Sequence, residues 1–364
     1  MIPSLPQEVD LGAIDAALRA LWRSQSTSAG EAGVVRTSLC NRIFVTPPDA
    51  NAAAGTVANV APEFPCRVLA VETSPPGALG PPGATISAFC NLEAAGRRQI
   101  CCEQITLRAP ASELESLAST LLALLLPDLP TVLYWPHRPT LTGGLLARLG
   151  AALDRLIVDS AGFAAGEADL GRLSAWSTET LAVGDLAWGR LDPWRELLAA
   201  LFDGPPLATR LAALRRCEIA CEPGGRHAAF LTAGWLASRL DWHPVRRHGD
   251  TWHFDTGAGS LQLRLHANAD RDPGAGVAPS LARLALDDGA GTTFVVEPDP
   301  HHPTLLAARI ECAGTCPLPQ RMPRVAAGGE REFLRALAGP AHNPAFEQAL
   351  AAASALAQMP AASA

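Results

Sequence analysis

The chain has 364 residues, of which 48% are hydrophobic and 18% charged, and its net charge is −7. This length and composition suit two globular domains, each with a sizeable core. The acidic balance supplies no basic face to neutralise phosphates, which argues against nucleic acid as a partner. The chain has no lysine; all 29 basic residues are arginine. A P-loop lysine and a lysine Schiff base are thereby excluded. Nine cysteines, an odd number, follow an N-terminus, Met1-Ile-Pro-Ser-Leu-Pro6, without the pattern of a secretory signal. The expected compartment is the cytoplasm, with reduced thiols. The most apolar run, 117–126, is about half the length of a membrane span and reads as a buried helix, so no membrane association is expected.

Residues 10–23 place Leu11, Ile14, Leu18, Leu21 and Trp22 on one helical face. Strands are predicted at 39–45 and 67–72, separated by a Pro/Ala/Asn-rich loop. Residues 73–83, with four prolines and three glycines, are incompatible with a helix or a central strand. Strands at 86–92 and 98–107 precede a helix at 110–126. A short apolar strand at 131–135, a helix at 141–152 and a buried strand at 156–159 complete an alternation that implies right-handed crossovers. Residues 162–180 are polar and glycine-rich and mark a boundary. Beyond it, helices at 193–202, 207–216 and 228–240 are followed by strands at 251–255, 261–266, 281–286, 293–297 and 305–311. Helices at 329–337 and 345–356 close the chain. The expected fold class is α/β: an N-terminal domain, 1–170, with a parallel or mixed sheet and flanking helices, then an α+β C-terminal domain, 171–364, with a largely antiparallel sheet.

Few residue groups point to chemistry. Cys217 and Cys221 are four apart, as are Cys312 and Cys316. A zinc site normally has tighter knuckles, so no metal is expected, and a switching pair is best placed at Cys312 and Cys316. Cys101 and Cys102 are neighbours in a strand pattern and face opposite sides of a sheet. His301-His302 sits in a proline-rich turn without further ligands. Asp159-Ser160 ends a buried strand, where α/β folds often bind ligands. Thr142-Gly143-Gly144 precedes a helix and reads as a helix start or an anion cradle. There is no G-x-S-x-G elbow and no G-x-G-x-x-G fingerprint, and no cofactor is expected.

One segment stands apart: Asp185-Leu-Ala-Trp-Gly-Arg-Leu-Asp-Pro-Trp-Arg-Glu-Leu-Leu-Ala-Ala-Leu-Phe-Asp203. Asp192 reads as an N-cap and Pro193 as the first helical residue. Trp194, Leu197, Leu198, Leu201 and Phe202 then fall on one face. Trp188, Arg190, Trp194 and Arg195 combine the two residue types enriched at binding hot spots. Trp135, Trp188, Trp194, Trp235 and Trp242 each suit a core better than an interface, and Arg190 and Arg195 are the better partner-facing residues.

This segment resembles the signature of the glucose-6-phosphate dehydrogenase assembly proteins, the OpcA family. The resemblance continues, in order, at 36–45, 64–71, 102–107, 124–136, 154–160 and 233–242. At 64–67 this chain has Phe-Pro-Cys-Arg where relatives tend to carry H-P-S-R. The resemblance implies a non-catalytic assembly factor or allosteric activator of glucose-6-phosphate dehydrogenase, acting in the oxidative pentose phosphate pathway. For such a binder the residue types place the candidate partner contacts at Trp188, Arg190, Trp194 and Arg195. Because cyanobacterial members respond to redox state, it makes a thiol pair at Cys312 and Cys316 of interest. The residues alone also admit an α/β enzyme or sensor holding a sugar phosphate with Arg138 and Arg155.

Overall fold

A computed structural model describes residues 2–3, 6–28, 34–36, 38–46, 65–74, 83–92, 99–135, 144–163, 167–268, 280–313, 318–324 and 329–361. The chain forms two compact units. The first comprises Met1–Val158 with Glu179–Ala182, and the second Asp159–Thr178 with Val183–Ala364. The division expected at 170 falls inside a helix, Glu167–Trp176, whose Leu170 and Leu173 are buried.

The first unit is built on a mixed sheet. Its path runs Ile2–Pro3, Gly83–Leu92, Gln99–Pro110, Cys66–Ser74, Cys40–Thr46, Thr131–Trp135 and Arg155–Val158. The strands from Gln99–Pro110 to Arg155–Val158 run parallel, and Gly83–Leu92 is antiparallel to its neighbour. Parallel strands covered on both faces favour continuous apolar runs, and Ile43–Val45, Val68–Val71 and Leu156–Val158 are all buried. Two polar side chains inside this core are well paired. Glu103 accepts from Trp22 Nε1 at 2.7 Å and from Arg67 Nε at 2.5 Å. Asn41 bonds both ways to the backbone of Leu126, donating at 2.9 Å and accepting at 2.8 Å. That clamp holds the chain where the helix Ala118–Leu124 turns toward the strand Thr131–Trp135.

The second unit has an eight-stranded sheet in the order His243–His248, Thr251–Asp255, Ser260–Ala267, Arg216–Cys221, Leu281–Asp287, Thr293–Pro298, Leu305–Glu311, Gln320–Pro323. Arg216–Cys221 and Ser260–Ala267 are parallel; the remaining neighbours are antiparallel. Exposure alternates residue by residue along Ser260–Leu265, as a sheet with one covered face requires. The helix Arg226–Arg239 is buried over most of its surface and packs on the helix Pro344–Gln358. Gly234 makes that approach possible, because a Cβ there would lie 2.1 Å from the Ala349 carbonyl oxygen. Both sheets bear out the α/β class with a mixed N-terminal sheet and a C-terminal sheet with helices. Among the described residues, no helix is long and apolar enough to cross a membrane.

The largest departure from the sequence reading lies at 207–216. Instead of one helix there is a turn of helix, Pro205–Ala208, a 3-10 segment, Thr209–Ala213, and then the strand Arg216–Cys221 in the middle of the sheet. The apolar spacing of 207–214 is helical, but the alternation that begins at Arg216 belongs to a strand.

Candidate functional site

The 185–203 segment, in the second unit, begins at the end of a strand. Asp185 has extended backbone, and its carboxylate accepts from the Ala187 amide at 3.0 Å, capping a short helix, Leu186–Arg190. Leu191 keeps helical dihedrals, so the chain passes directly into a second helix, Asp192–Ala200. The N-cap expected at Asp192 is therefore at Asp185. With a helical residue before it, Asp192 has no extended cap position to occupy, and its carboxylate pairs with Arg195 three residues on. Pro193 lies in the first turn, where its missing N–H costs no hydrogen bond.

The apolar stripe is entirely buried: Trp194, Leu197, Leu198, Leu201 and Phe202 face inward. The Phe202 ring lies 4.3 Å from that of Phe294. Trp188 is buried against Phe346, with ring centroids 5.6 Å apart. The Arg195 guanidinium covers the Trp188 ring at 3.5 Å and donates to the Trp188 carbonyl at 3.0 Å. Burial pulls the Arg195 pKa down to about 10, against the opposing carboxylates of Asp192 and Glu196. Asp192 and Glu196 are exposed, Asp192 with 55% of its side chain accessible.

Next along the segment lies a largely buried polar centre. Arg190 uses both edges of its fork. Nε and Nη2 donate to Glu332 at 2.8 and 2.6 Å, and Nη1 and Nη2 donate to Asp159 at 2.8 and 2.6 Å. Burial works against the charged guanidinium, but the two carboxylates overcome it and hold Arg190 well above its ordinary range. The triad ties the Leu186–Arg190 helix to the Ser160–Gly162 turn and to the helix Gly329–Ala338. Beside it, Asp185 accepts from the Ser160 amide at 3.0 Å and from the Ser160 hydroxyl at 2.6 Å. Saturated in this way, the groups hold three elements in register.

Asp185 carries a testable signature. Burial, reinforced by the Asp159 carboxylate, pushes its carboxyl from 3.8 to about 6 despite three donated hydrogen bonds. The folded chain thus retains a proton that the unfolded chain releases between those values. This group's contribution to stability is greatest below the lower pKa and is lost as pH rises toward about 6. The full span is on the order of 3 kcal/mol. Thermal or urea unfolding of Asp185→Asn should lack that slope between pH 4 and 6 (a range of about two pH units). An unchanged slope would assign the titration to another group.

The remaining candidates are dispersed. Cys217 and Cys221 are both buried on one strand, and burial raises both thiols. Among the described residues, no group of three or more His, Cys, Asp or Glu is placed to hold a metal. Cys312 is in a disulfide; Cys316 lies outside the described residues, as do Arg138, Thr142, Gly143 and the Cys101 side chain. His301 and His302 are exposed, and their amides donate to Asp299 at 2.8 and 3.1 Å, as a turn requires. Trp135 and Trp242 are buried and Trp235 partly so. Arg155 is also buried, and burial lowers its pKa. Sequence reasoning missed Glu332 altogether: it meets Arg190 across 142 residues, and no local pattern announces the pair.

Two family profiles match the chain. One, described as the glucose-6-phosphate dehydrogenase subunit N-terminal domain, covers 57–175; the other, the C-terminal domain of the same subunit, covers 181–350. The chain is 37% identical over 192 residues to an OxPP cycle protein OpcA of Nostoc punctiforme, across 52% of this chain and 41% of that one. It is 32% identical over 213 residues to its counterpart from Synechococcus elongatus, across 58% and 47%. The matches therefore span less than half of each relative's own length. Among solved structures, an oxidoreductase from Sinorhizobium meliloti aligns with a TM-score of 0.43 at 12% identity, covering 87% of this chain and 86% of that one. On the two profiles, which together take in most of its length, the chain belongs to the glucose-6-phosphate dehydrogenase assembly protein family, the OpcA family.

Proposed function

We propose that this chain is a non-catalytic assembly factor and allosteric activator that binds glucose-6-phosphate dehydrogenase in the cytoplasm, within the oxidative pentose phosphate pathway. The observation that carries the reading is the match to both halves of the dehydrogenase-subunit family, 57–175 and 181–350. The mechanism is linkage: a protein that binds one conformer or oligomer of the enzyme more tightly shifts the population toward it. In this reading the 185–195 segment is a partner-binding platform. Trp188 and Trp194 form its packed base, and Arg190 locks it to the elements behind. Arg195 and the exposed Asp192 give it a polar rim. Co-elution by size-exclusion chromatography with the dehydrogenase of its own host tests the reading. The two proteins should elute as one species larger than either, and separate elution at micromolar concentrations counts against it.

The Cys312 disulfide belongs to the same proposal, with Cys316 as its partner. Peptide mapping of the oxidised chain under non-reducing conditions should recover the 312–316 link. Reduction should release it and change the dehydrogenase rate in the mixture. Recovery of Cys312 linked to a different cysteine would remove this pair.

A further inference from the structure

The first unit contains a row of thiols. Cys40 opens the strand Cys40–Thr46, and Cys66 opens the parallel strand Cys66–Ser74, and the two are direct register partners. On the other side of Cys66–Ser74, Arg67 pairs with Glu103, which sets Cys102 beside Cys66 on the next parallel strand. In-register neighbours share one face of a sheet, so all three sulfurs project to the same side. Arg42, two residues beyond Cys40 on its strand, shares that face and is 2% exposed.

The three thiols are not equivalent. Cys66 and Cys102 are buried, at 1% and 5% exposure, whereas Cys40 is partly open to solvent. The Cys40 and Cys66 sulfurs share a hydrogen bond. That bond and the Arg42 cation outweigh desolvation and lower the Cys40 pKa to about 6. The same hydrogen bond, with burial, pushes Cys66 up, and burial raises Cys102. Adjacent strands lie about 4.8 Å apart, within the Cα separation of about 4.4–6.8 Å that a disulfide spans.

We propose that Cys40 and Cys66 form a peroxide-reactive dithiol, with Cys40 as the attacking sulfur and Cys66 as the resolving thiol. An accessible thiolate beside a second thiol is the arrangement that peroxide sensing requires. In the first step the Cys40 thiolate attacks one peroxide oxygen and the O–O bond breaks. The departing oxygen takes up a proton and leaves as water or alcohol, and Cys40 becomes a sulfenic acid. In the second step the Cys66 sulfur attacks Cys40. The S–S bond forms, the S–O bond breaks, and hydroxide leaves with the Cys66 proton as water. The thiols lose two electrons in all and the hydroperoxide gains them. Cys102 stays a thiol, because the strand Cys66–Ser74 stands between its strand and that of Cys40, so it is not a register partner of the Cys40 sulfur.

The test uses the full chain, fully reduced and then treated with hydrogen peroxide, followed by peptide mapping without reductant. The expected product is a peptide pair linked Cys40 to Cys66, distinct from any link at Cys312. In Cys66→Ala, the Cys40 sulfenic acid should accumulate and be captured by dimedone. In Cys40→Ser, Cys66 and Cys102 should both remain thiols. Iodoacetamide labelling of Cys40 in the unoxidised wild-type chain should be half-maximal near its pKa of about 6. This measurement needs no variant to fold. The proposal is overturned if peroxide oxidises other cysteines while Cys40 stays free. It is equally overturned if Cys40 links elsewhere, or if its labelling midpoint matches an ordinary thiol near about 8.5.

Discussion

Arg190→Ala should destabilise the second unit by about 3–5 kcal/mol, because it leaves buried carboxylates without their counter-charge. Arg190 is 8% exposed and is the shared partner of Asp159 and Glu332. Removing it strands both acids next to a third, Asp185, whose carboxyl already resists ionisation. Urea unfolding followed by tryptophan fluorescence reads the loss directly. Arg190→Lys should recover only part of it, since an ammonium cannot make four parallel bonds to two carboxylates. Replacing Arg190, Asp159 and Glu332 together with apolar residues of similar volume should cost much less than Arg190→Ala alone. If the triple replacement is as damaging as the single one, the triad is not the source of the effect.

Trp194→Ala should cost about 3–5 kcal/mol through the cavity it opens. The ring is 2% exposed and packs on the inner face of its helix. Trp194→Phe should cost less, because most of the volume remains. Melting and partner binding measured on the same variants separate core from contact. A core ring lowers the melting temperature, and binding falls only as the fold is lost. A contact ring leaves melting unchanged while affinity drops by about 2 kcal/mol or more. The burial favours the first outcome, and Arg195, stacked on Trp188 at the rim, is the better residue for a binding defect.

Much of the fold was legible because its signals are local. The buried parallel strands Thr131–Trp135 and Arg155–Val158 are short, largely apolar runs. The 193–202 helix announces itself by proline at its start and by an unbroken apolar stripe. The strand Arg216–Cys221 was not legible, because it follows a helical pattern with only one turn residue between them and takes its place only by pairing with the distant strands Ser260–Ala267 and Leu281–Asp287. The strand His243–His248 is exposed and arginine-rich, so it lacks the alternation that betrays a half-buried strand. At the candidate site, the residue types of the signature were read correctly as a tryptophan–arginine cluster, but not their surroundings. Arg190 looked like a surface group because its partners lie 31 residues upstream and 142 downstream. The Cys40–Cys66 row was hidden for the same reason: the two cysteines stand 26 residues apart, and only strand register brings them together.

Titration of the host's glucose-6-phosphate dehydrogenase with this chain tests the central claim most directly. The chain alone should not turn over glucose 6-phosphate with NAD or NADP. Added to the enzyme, it should raise the rate or lower the apparent substrate requirement, saturating at a fixed molar ratio. Stabilising one conformer by roughly 1–3 kcal/mol changes apparent affinity about 5–150-fold. No change in rate, substrate dependence or oligomer size, in oxidised and reduced samples alike, would contradict the account.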